Sequence, residues 1–262
     1  MADCIYATIT RKSPQLKLKH AKVDDDALLQ DRNVSMSNSL VRAAHGISLA
    51  EKRVVCACLA KMDSVRMDNG RYKFKLNADE FAETFNVSHV TAYEQLMETG
   101  KKLMKRTARV IEETPRGKKE RIWVWVSGVT YHHGEGWVEL GFSHEMTPHL
   151  AVLRKEFTSY KLKHASALRS MYSWRLLELM MQFKKTGLLR IDIEEFCHAM
   201  EVSESARNNF GELRRRIIEP AVKELTEKDN FLIEWEGTKP GGRRITGLEF
   251  RFEINPQGKL EI

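Results

Sequence analysis

The sequence has no apolar run that approaches the roughly 20 residues needed to cross a bilayer, so it predicts no membrane span. Its first residues also lack the apolar core of a secretory signal peptide. It contains only 4 cysteines, and no two of them form a CxxC pair, the spacing that many zinc and redox sites use. These absences predict a cytoplasmic protein whose cysteines pack in the core rather than form disulfide bonds.

Motifs for catalysis are also scarce. No GxxxxGK[ST] loop is present, which excludes a P-loop site for ATP. The segment from His144 to His149 resembles the zinc-binding HExxH motif, but its second histidine comes one residue too late and a proline interrupts the turn. We therefore predict no catalytic residue, no metal site and no cofactor.

One enzymatic alternative remains open, a rolling-circle initiator that nicks DNA with a tyrosine and a histidine-bound metal. Tyr131, His132 and His133 are residues of the required types. The two histidines are adjacent, however, and adjacent side chains of a strand point to opposite faces. The spacing therefore argues against a shared metal ion.

Charge is what the chain has in quantity. Charged residues make up 30% and hydrophobic residues 42% of the 262 positions, which is typical of a soluble globular protein. The length suffices for two domains of ordinary size. The formal net charge is +7 and the isoelectric point is near 9.2, a balance that favours a polyanionic partner such as nucleic acid.

The segment from Ser203 to Pro220 has the pattern of one amphipathic helix. Ser203 and Ser205 are candidate N-caps, and Pro220 is expected to end or kink the helix at the preceding turn. One face is apolar and consists of Ala206, Phe210, Leu213 and Ile217. The other sides collect side chains whose donors and acceptors fit base edges in a major groove, namely Ser205, Arg207, Asn208, Asn209, Arg214, Arg215 and Arg216.

A hairpin is predicted directly after this helix. Residues 231–235 and 246–252 have strand patterns, and the loop between them is rich in glycine and basic residues. A reading helix followed by two strands and a basic loop describes a winged helix. The wing residues predicted to contact DNA are Lys239, Arg243 and Arg244.

The first half of the chain shows the same order of elements. An amphipathic helix is predicted around residues 49–62, a strand over 72–76, a helix from 77 to about 85 and a long helix over 89–109. A basic loop over 115–121 then joins two strands, 108–112 and 122–126, and a second hairpin over 131–142 turns at 133–136. Contacts with DNA are predicted for Thr91, Lys101, Lys102, Lys105, Arg109, Arg116, Lys118 and Lys119.

An internal repeat links the two halves. Four residues recur with identical or similar side chains 115 positions later: Leu76, Phe81, Val87 and Ser88 correspond to Ile191, Phe196, Val202 and Ser203. After a two-residue insertion, Tyr93 and Leu96 correspond to Phe210 and Leu213. The sequence therefore predicts an α+β fold of two tandem winged-helix domains related by an internal repeat.

Several motifs resemble those of the iteron-binding plasmid replication initiators of the F-plasmid type. They begin with Asn38-Ser-Leu40 and Leu49-x-Glu51-x-Arg53. In the second half they are Leu168-Arg-Ser170 with Arg175-Leu176, then Phe210-x-x-Leu213-Arg214 and the Gly-Gly-Arg-Arg wing ending at Arg244. The similarity covers residues 36–253, with the motifs in the same order.

The resemblance implies a protein that binds repeated origin sequences in double-stranded DNA, associates with itself through the first domain and recruits host initiator ATPase, helicase and chaperones. Repression of its own promoter is also expected. The predicted division is a flexible basic tail over 1–35, a first domain over 36–152 and a second over 153–262. Glu94 and Glu98 face outward on the first-domain helix, so the second domain is expected to dominate reading. A winged-helix repressor without an initiator role is the alternative.

Overall fold

The computed structural model describes residues 27–43, 46–62, 67–68, 71–150, 157–239, 241–242 and 244–254. Its first half contains a 3-10 turn at Leu29–Asp31, β1 Asn33–Ser37, α1 Asn38–Arg42, α2 Leu49–Ala60, β2 Met67–Asp68, β3 Arg71–Asn77, α3 Ala78–Phe85, α4 His89–Leu103, β4 Thr107–Thr114, β5 Gly117–Val124, β6 Val126–His132, β7 Trp137–Phe142 and α5 Thr147–Leu150. No helix of the described residues is both long and apolar enough to cross a membrane.

The second half repeats much of this order. It contains β8 Phe157–Lys161, α6 Lys163–Ser166, α7 Met171–Met181, β9 Leu188–Asp192, α8 Ile193–Ala199, α9 Glu204–Arg207, α10 Phe210–Leu213, a π-helical turn at Arg214–Ile218, α11 Glu219–Asp229, β10 Phe231–Thr238 and β11 Gly247–Ile254.

The two sheets confirm the predicted repeat. The first sheet has the strand order β2-β3-β7-β6, and the second has the order β10-β11-β9. In each, the strand before the reading helices pairs antiparallel with the last strand of a hairpin: Leu76 lies opposite Val138 in one sheet and Ile191 opposite Leu248 in the other. Strands β3, β6 and β7 therefore correspond to β9, β10 and β11.

The turn before each reading helix repeats in atomic detail. Asn86 and Glu201, again 115 positions apart, both adopt the left-handed conformation, with φ of 50° and 51°. The next residue in each domain, Val87 or Val202, donates its backbone N–H to the carbonyl five residues back at 3.1 Å and 2.9 Å. A non-glycine residue with positive φ is uncommon, so the coincidence supports a common structure rather than a chance match of letters.

An inserted ribbon is the main difference between the domains. The β4–β5 hairpin forms a two-stranded sheet of its own between α4 and β6. The predicted unit of strand, basic loop and strand exists, but it is not the wing equivalent to residues 239–246 of the second domain. By strand pairing, that place belongs to the turn at 133–136 between β6 and β7.

The reading helix of the second domain is not the single helix that the periodicity predicts. Helix α9 ends at Arg207, and a new helix starts after Asn209, whose side-chain Oδ1 accepts the N–H of Glu212 at 3.3 Å. Ser203 stands at the N-cap of α9 without a side-chain capping bond, and Ser205 lies inside that helix. Of the two candidate N-caps, Ser203 therefore has the predicted position and Ser205 does not, and the prediction of one long helix was wrong because Asn209 starts a new one.

Of the two outcomes predicted for Pro220, an end or a kink of the helix at the preceding turn, the structure shows the second. Pro220 lies in the first turn of α11, which continues to Asp229. The disturbance falls in the preceding turn, where the N–H of Glu219 reaches the carbonyl of Arg214 in a π-helical bond. A proline ring clashes with the carbonyl four residues back, here that of Arg216, and a wider turn relieves such a clash.

The joint between the halves is a buried polar network. Lys52 Nζ on α2 lies 2.8 Å from Glu178 Oε1 on α7, and both side chains are 1% exposed. The hydroxyl of Tyr160 on β8 donates to Glu178 at 2.8 Å and accepts from Trp174 Nε1 at 2.9 Å. Buried charges are tolerated when they are paired and hydrogen-bonded, so this network ties α2 to β8 and α7.

Strand pairing also crosses the predicted domain boundary. β1 pairs with β8 over its whole length, with Val34 opposite Tyr160, although the boundary was placed at 152/153. Residues 27–35, assigned to the tail, contain the first 3-10 turn and the start of β1, so the predicted tail extends too far. Residues 1–26 lie outside the described part. The buried hydrophobic residues of both halves form one cluster.

The cysteines within the described residues are buried and free, as predicted: Cys56, Cys58 and Cys197. Burial raises the pKa of the Cys56 thiol to about 12. A thiol that stays protonated is a poor nucleophile, so Cys56 acts as a small apolar side chain beside the Lys52 network.

Candidate nucleic-acid interface

The second domain presents its predicted reading face on the broken helix. Ser205, Asn208, Arg215 and Arg216 are exposed, but they are spread over α9, the intervening turn and the π-helical turn. Arg207 is half-buried, and its Nε is buried without a hydrogen-bond partner in the described structure. Six of the seven predicted residues thus remain accessible, including Asn209 and Arg214, while Arg207 is partly withdrawn.

Two arginines of this face share one carboxylate. Arg216 Nε lies 2.6 Å from Glu212 Oε2, and Arg215 contacts the other oxygen of Glu212. Their side chains are still 71% and 69% exposed, and exposed ion pairs contribute only about 0–1 kcal/mol. Arg214 is similarly paired, with Nε 2.6 Å from Glu219. These guanidinium groups can therefore exchange a carboxylate for a base edge or a phosphate at little cost.

The second-domain wing lies between β10 and β11, as predicted. Lys239 and Arg244 are exposed, while Arg243 lies outside the described residues. Gly241 has φ +80°, a conformation that favours glycine. At Gly237 a Cβ would lie 2.8 Å from Ile245 Cδ1, so glycine lets the isoleucine pack across the base of the wing. The loop is therefore built as a turn, with its basic side chains outward.

In the first domain, only some of the basic residues predicted on the long helix lie on it. Lys101 and Lys102 are exposed on α4, and Lys102 pairs with Glu98 at 2.7 Å. Thr91 is half-buried and its Oγ1 accepts from Ser88 at 2.7 Å. Helix α4 ends at Leu103, because the chain turns there into β4. Lys105 therefore lies beyond the helix.

Arg109 and the basic loop residues lie on the inserted ribbon instead. Arg109 is in β4, not on the helix, which corrects the prediction of a helix through residue 109. Arg116 lies in the turn, whereas Lys118 and Lys119 lie within β5, opposite Glu113 and Glu112 in the strand register. The predicted basic residues are thus divided between the turn and one strand of the ribbon.

The sequence pattern placed the start of α4 at residue 89 but gave no sign that its first turn forms an exposed face. His89, Val90 and Glu94 are exposed there, beside an open cleft of about 410 Å³ that also borders the turn at 133–136. The hydroxyl of Tyr93 lies 3.0 Å from His133 Nδ1, which attaches this turn to the helix. The repeat offset of 115 was the signal that could have found this face, since it aligns Val90 with Ser205.

The candidate catalytic groups have structural partners. The Tyr131 hydroxyl donates to the carbonyl of Met97 at 3.1 Å, and burial raises its pKa. His132 Nδ1 accepts the N–H of Glu135 at 3.0 Å, while His133 contacts Tyr93. Among the described residues, no group of three His, Cys, Asp or Glu side chains is arranged to hold a metal ion.

Several known proteins are similar to this chain in sequence. A relative from Escherichia coli described as an uncharacterized 27.6 kDa protein is 29% identical over 221 residues, 80% of this chain and 92% of its own length. An Escherichia coli replication initiation protein is 26% identical over 87% of this chain and 71% of its length. The PI protein of Escherichia coli is 24% identical over 83% of this chain and 81% of its length.

The fold has a counterpart in a solved structure. The crystal structure of the Pi initiator protein in complex with iteron DNA superposes with a TM-score of 0.73 at 21% identity, over 87% of this chain and 99% of that chain. It confirms two tandem winged-helix domains. Family profiles described as Initiator Replication protein, WH1 and Initiator Rep protein, WH2 match residues 33–181 and 192–252. The chain belongs to the family of winged-helix replication initiator proteins.

Proposed function

We propose that this protein initiates plasmid replication by binding repeated origin sequences, or iterons, in double-stranded DNA. Family membership supports the initiator role, and the similar Pi initiator was crystallised with iteron DNA. The protein acts by binding, without covalent or hydrolytic chemistry on DNA. The engaged Tyr131 hydroxyl supports this part of the proposal, since a nicking tyrosine has to be free to attack.

One observation carries the proposal: the second domain exposes Asn208, Arg215 and Arg216 on its broken reading helix, next to a basic wing. Asparagine pairs with adenine and arginine with guanine through two hydrogen bonds in the major groove. Lys239 and Arg244 on the wing are placed to neutralise phosphates beside that groove. The second domain is therefore the main reader.

The first domain occupies the next major groove. Major grooves on one face of a duplex recur about every 34–36 Å, and both halves share one buried apolar core, which holds the two reading helices relative to each other. One chain then protects about two turns of DNA, and linkage of the domains raises the overall affinity.

Self-association through the first domain follows from the family resemblance, and the ribbon offers a surface for it. Neither β4 nor β5 pairs with another strand on its outer edge among the described residues. Ile122 and Val124 on this ribbon are 59% and 39% exposed. Unpaired strand edges with apolar side chains promote pairing between chains. Recruitment of a host initiator ATPase, helicase and chaperones, repression of its own promoter and a cytoplasmic, plasmid-associated location complete the proposal.

Arg215→Ala tests base reading by the second domain. We expect binding to the preferred duplex, selected from random DNA, to weaken by about 1–3 kcal/mol at fixed salt, and binding to random duplex to change much less. Lys184→Ala is the control, because residue 184 precedes β9 at the end of the sheet opposite the wing. Equal losses on both duplexes would make Arg215 a phosphate contact.

The same variant separates an initiator from a repressor. A plasmid that carries the bound repeats as its only candidate origin should be maintained when the wild-type protein is supplied and lost with Arg215→Ala, while a plasmid with another origin should be unaffected. If that plasmid failed to replicate even with the wild-type protein, although the protein repressed the promoter, the repressor alternative would hold.

A further inference from the structure

The first turn of α4 exposes an apolar side chain at a position where a reading helix meets DNA. Val90 is the second residue of α4 and is 67% exposed, more than any other large hydrophobic residue that the structure describes. A single exposed apolar residue is common on protein surfaces and does not by itself indicate a function. The position of Val90 does indicate one, because the N-terminal residues of a recognition helix are those that contact base edges.

The repeat places Val90 at the reading position independently. Ser88 and Ser203 both stand at N-caps, and the left-handed residues Asn86 and Glu201 precede them in the same way. Counting from either cap, Val90 is equivalent to Ser205, an exposed residue of the second-domain reading face. The same place on the fold thus carries a hydroxyl in one domain and an isopropyl group in the other.

The charges around Val90 do not favour a phosphate. Glu94, one turn further along α4, is exposed and has no ion pair in the described structure. Glu98 is already paired with Lys102, and His89 lies 2.9 Å from Asp79. A carboxylate repels phosphate, but it can accept a hydrogen bond from the amino group of cytosine. This half of α4 therefore suits the floor of a groove better than its phosphate rim.

The face is also held in place. The contact between Tyr93 and His133 and the bond from Tyr131 to Met97 attach α4 to the hairpin of β6 and β7. At Gly100 a Cβ would lie only 3.0 Å from Val129, so the helix packs directly on β6. Val90 is thus presented by a helix that is fixed to the sheet.

We propose that Val90 is a specificity-determining residue that packs on the C5-methyl group of a thymine in the major groove occupied by the first domain. Thymine is the base that presents an apolar group there. Glu94 then faces the neighbouring base pair as an acceptor for an exocyclic amino group. This inference rests on the proposed function, since it requires the first domain to lie in a major groove.

A scan of the preferred duplex with uracil tests the proposal, because uracil differs from thymine only by the missing methyl group. Each thymine is replaced singly, and affinity is measured by titration with the full-length protein at fixed salt. For the wild type we expect at least one replacement in the half-site of the first domain to weaken binding by about fourfold, the value for losing one buried methyl-sized group. With Val90→Ser that replacement should have no effect.

Two further variants complete the experiment. Val90→Ile keeps an apolar side chain and should keep the uracil penalty at the same position. Leu232→Ser removes a residue that is 47% exposed on β10 of the second domain and should leave the whole uracil pattern unchanged. A thermal melt verifies that Val90→Ser is folded.

The outcomes separate this inference from the proposed function. If the wild type prefers the selected duplex but shows no uracil penalty, or if Val90→Ser retains every penalty, the thymine contact is wrong and initiator binding stands. If the wild type does not prefer any repeated duplex over random DNA, the proposed function fails, and the inference fails with it.

Discussion

The two winged-helix domains share one fold but expose different side chains. In the first, α4 is one regular 15-residue helix. Its N-terminal part exposes Val90 and Glu94, and an inserted ribbon follows it. In the second, the equivalent segment is broken by Asn209 and a π-helical turn, and its exposed side chains are arginines and asparagines. The turn at 133–136 contains no lysine or arginine, whereas the second wing carries Lys239 and Arg244.

This difference shows which parts of the repeat are needed for folding. Four of the shared apolar positions are buried: Leu76 and Ile191 on the strands, and Phe81 and Phe196 on the helices before the turn. The positions that differ are exposed on the reading helices and wings. Both domains therefore keep the apolar scaffold, and each exposes a different set of side chains on the helix and turn that we propose to contact DNA.

The largest expected effect comes from breaking the buried network that joins α2 to β8 and α7. Lys52→Met should lower the free energy of unfolding by about 3–5 kcal/mol, because it leaves the carboxylate of Glu178 buried without its cation. Urea unfolding of the full-length protein measures this change.

Two variants provide its controls. Lys102→Met removes an exposed i,i+4 pair and should cost less than about 1 kcal/mol. Lys52→Met combined with Glu178→Leu should recover part of the loss, since no unpaired charge then remains. If Lys52→Met lowered the free energy of unfolding no more than Lys102→Met does, the buried network would not be an important support of the fold.

The sequence was most informative where packing repeats. The apolar residues at offset 115 predicted the order of strands and helices because a buried side chain is constrained by its neighbours in each copy. A local sequence pattern also accounts for the start of α2, where Ser48 and Glu51 form a capping box. Such signals are local, so they survive without knowledge of the tertiary structure.

The failures have a common cause, which is that long-range pairing overrides local pattern. Nothing in residues 157–161 shows that they pair with residues 33–37, so the boundary was placed at 152/153. The ribbon was taken for a wing because a basic loop between strands looks the same in either place. Only the strand order, in which β7 and not β5 pairs with β3, assigns the wing.

The basic wing should respond to salt in a way that the first-domain turn does not. Lys239→Ala and Arg244→Ala should each reduce the slope of log K against log salt by about 0.9, the value for one phosphate contact. Conversely, Glu135→Lys in the turn at 133–136 should increase the slope by a similar amount if that turn also lies beside the backbone. Binding titrations between about 50 and 200 mM salt measure the slopes of all three variants. An unchanged slope for Glu135→Lys would place the two turns differently on DNA.

The smallest effect is expected for Pro220→Ala, which asks whether the proline or the core maintains the π-helical turn. Leu213, Ile217, Ile218 and Ala221 are all buried. A regular α-helix would place Ile218 about 140° around the axis from Leu213, and the wider turn brings these two side chains closer to one face. We therefore expect packing to hold the turn.

With Pro220→Ala, the free energy of unfolding should fall by less than about 1 kcal/mol, from the greater freedom of the unfolded chain. Affinity for the preferred duplex should stay within about twofold, because Arg215 and Arg216 keep their direction; a return to α-helical geometry would rotate them by about 100° relative to α11. Titration and urea unfolding of the same preparation give both values. A large loss of affinity without loss of stability would show that Pro220 itself sets the reading face of the second domain.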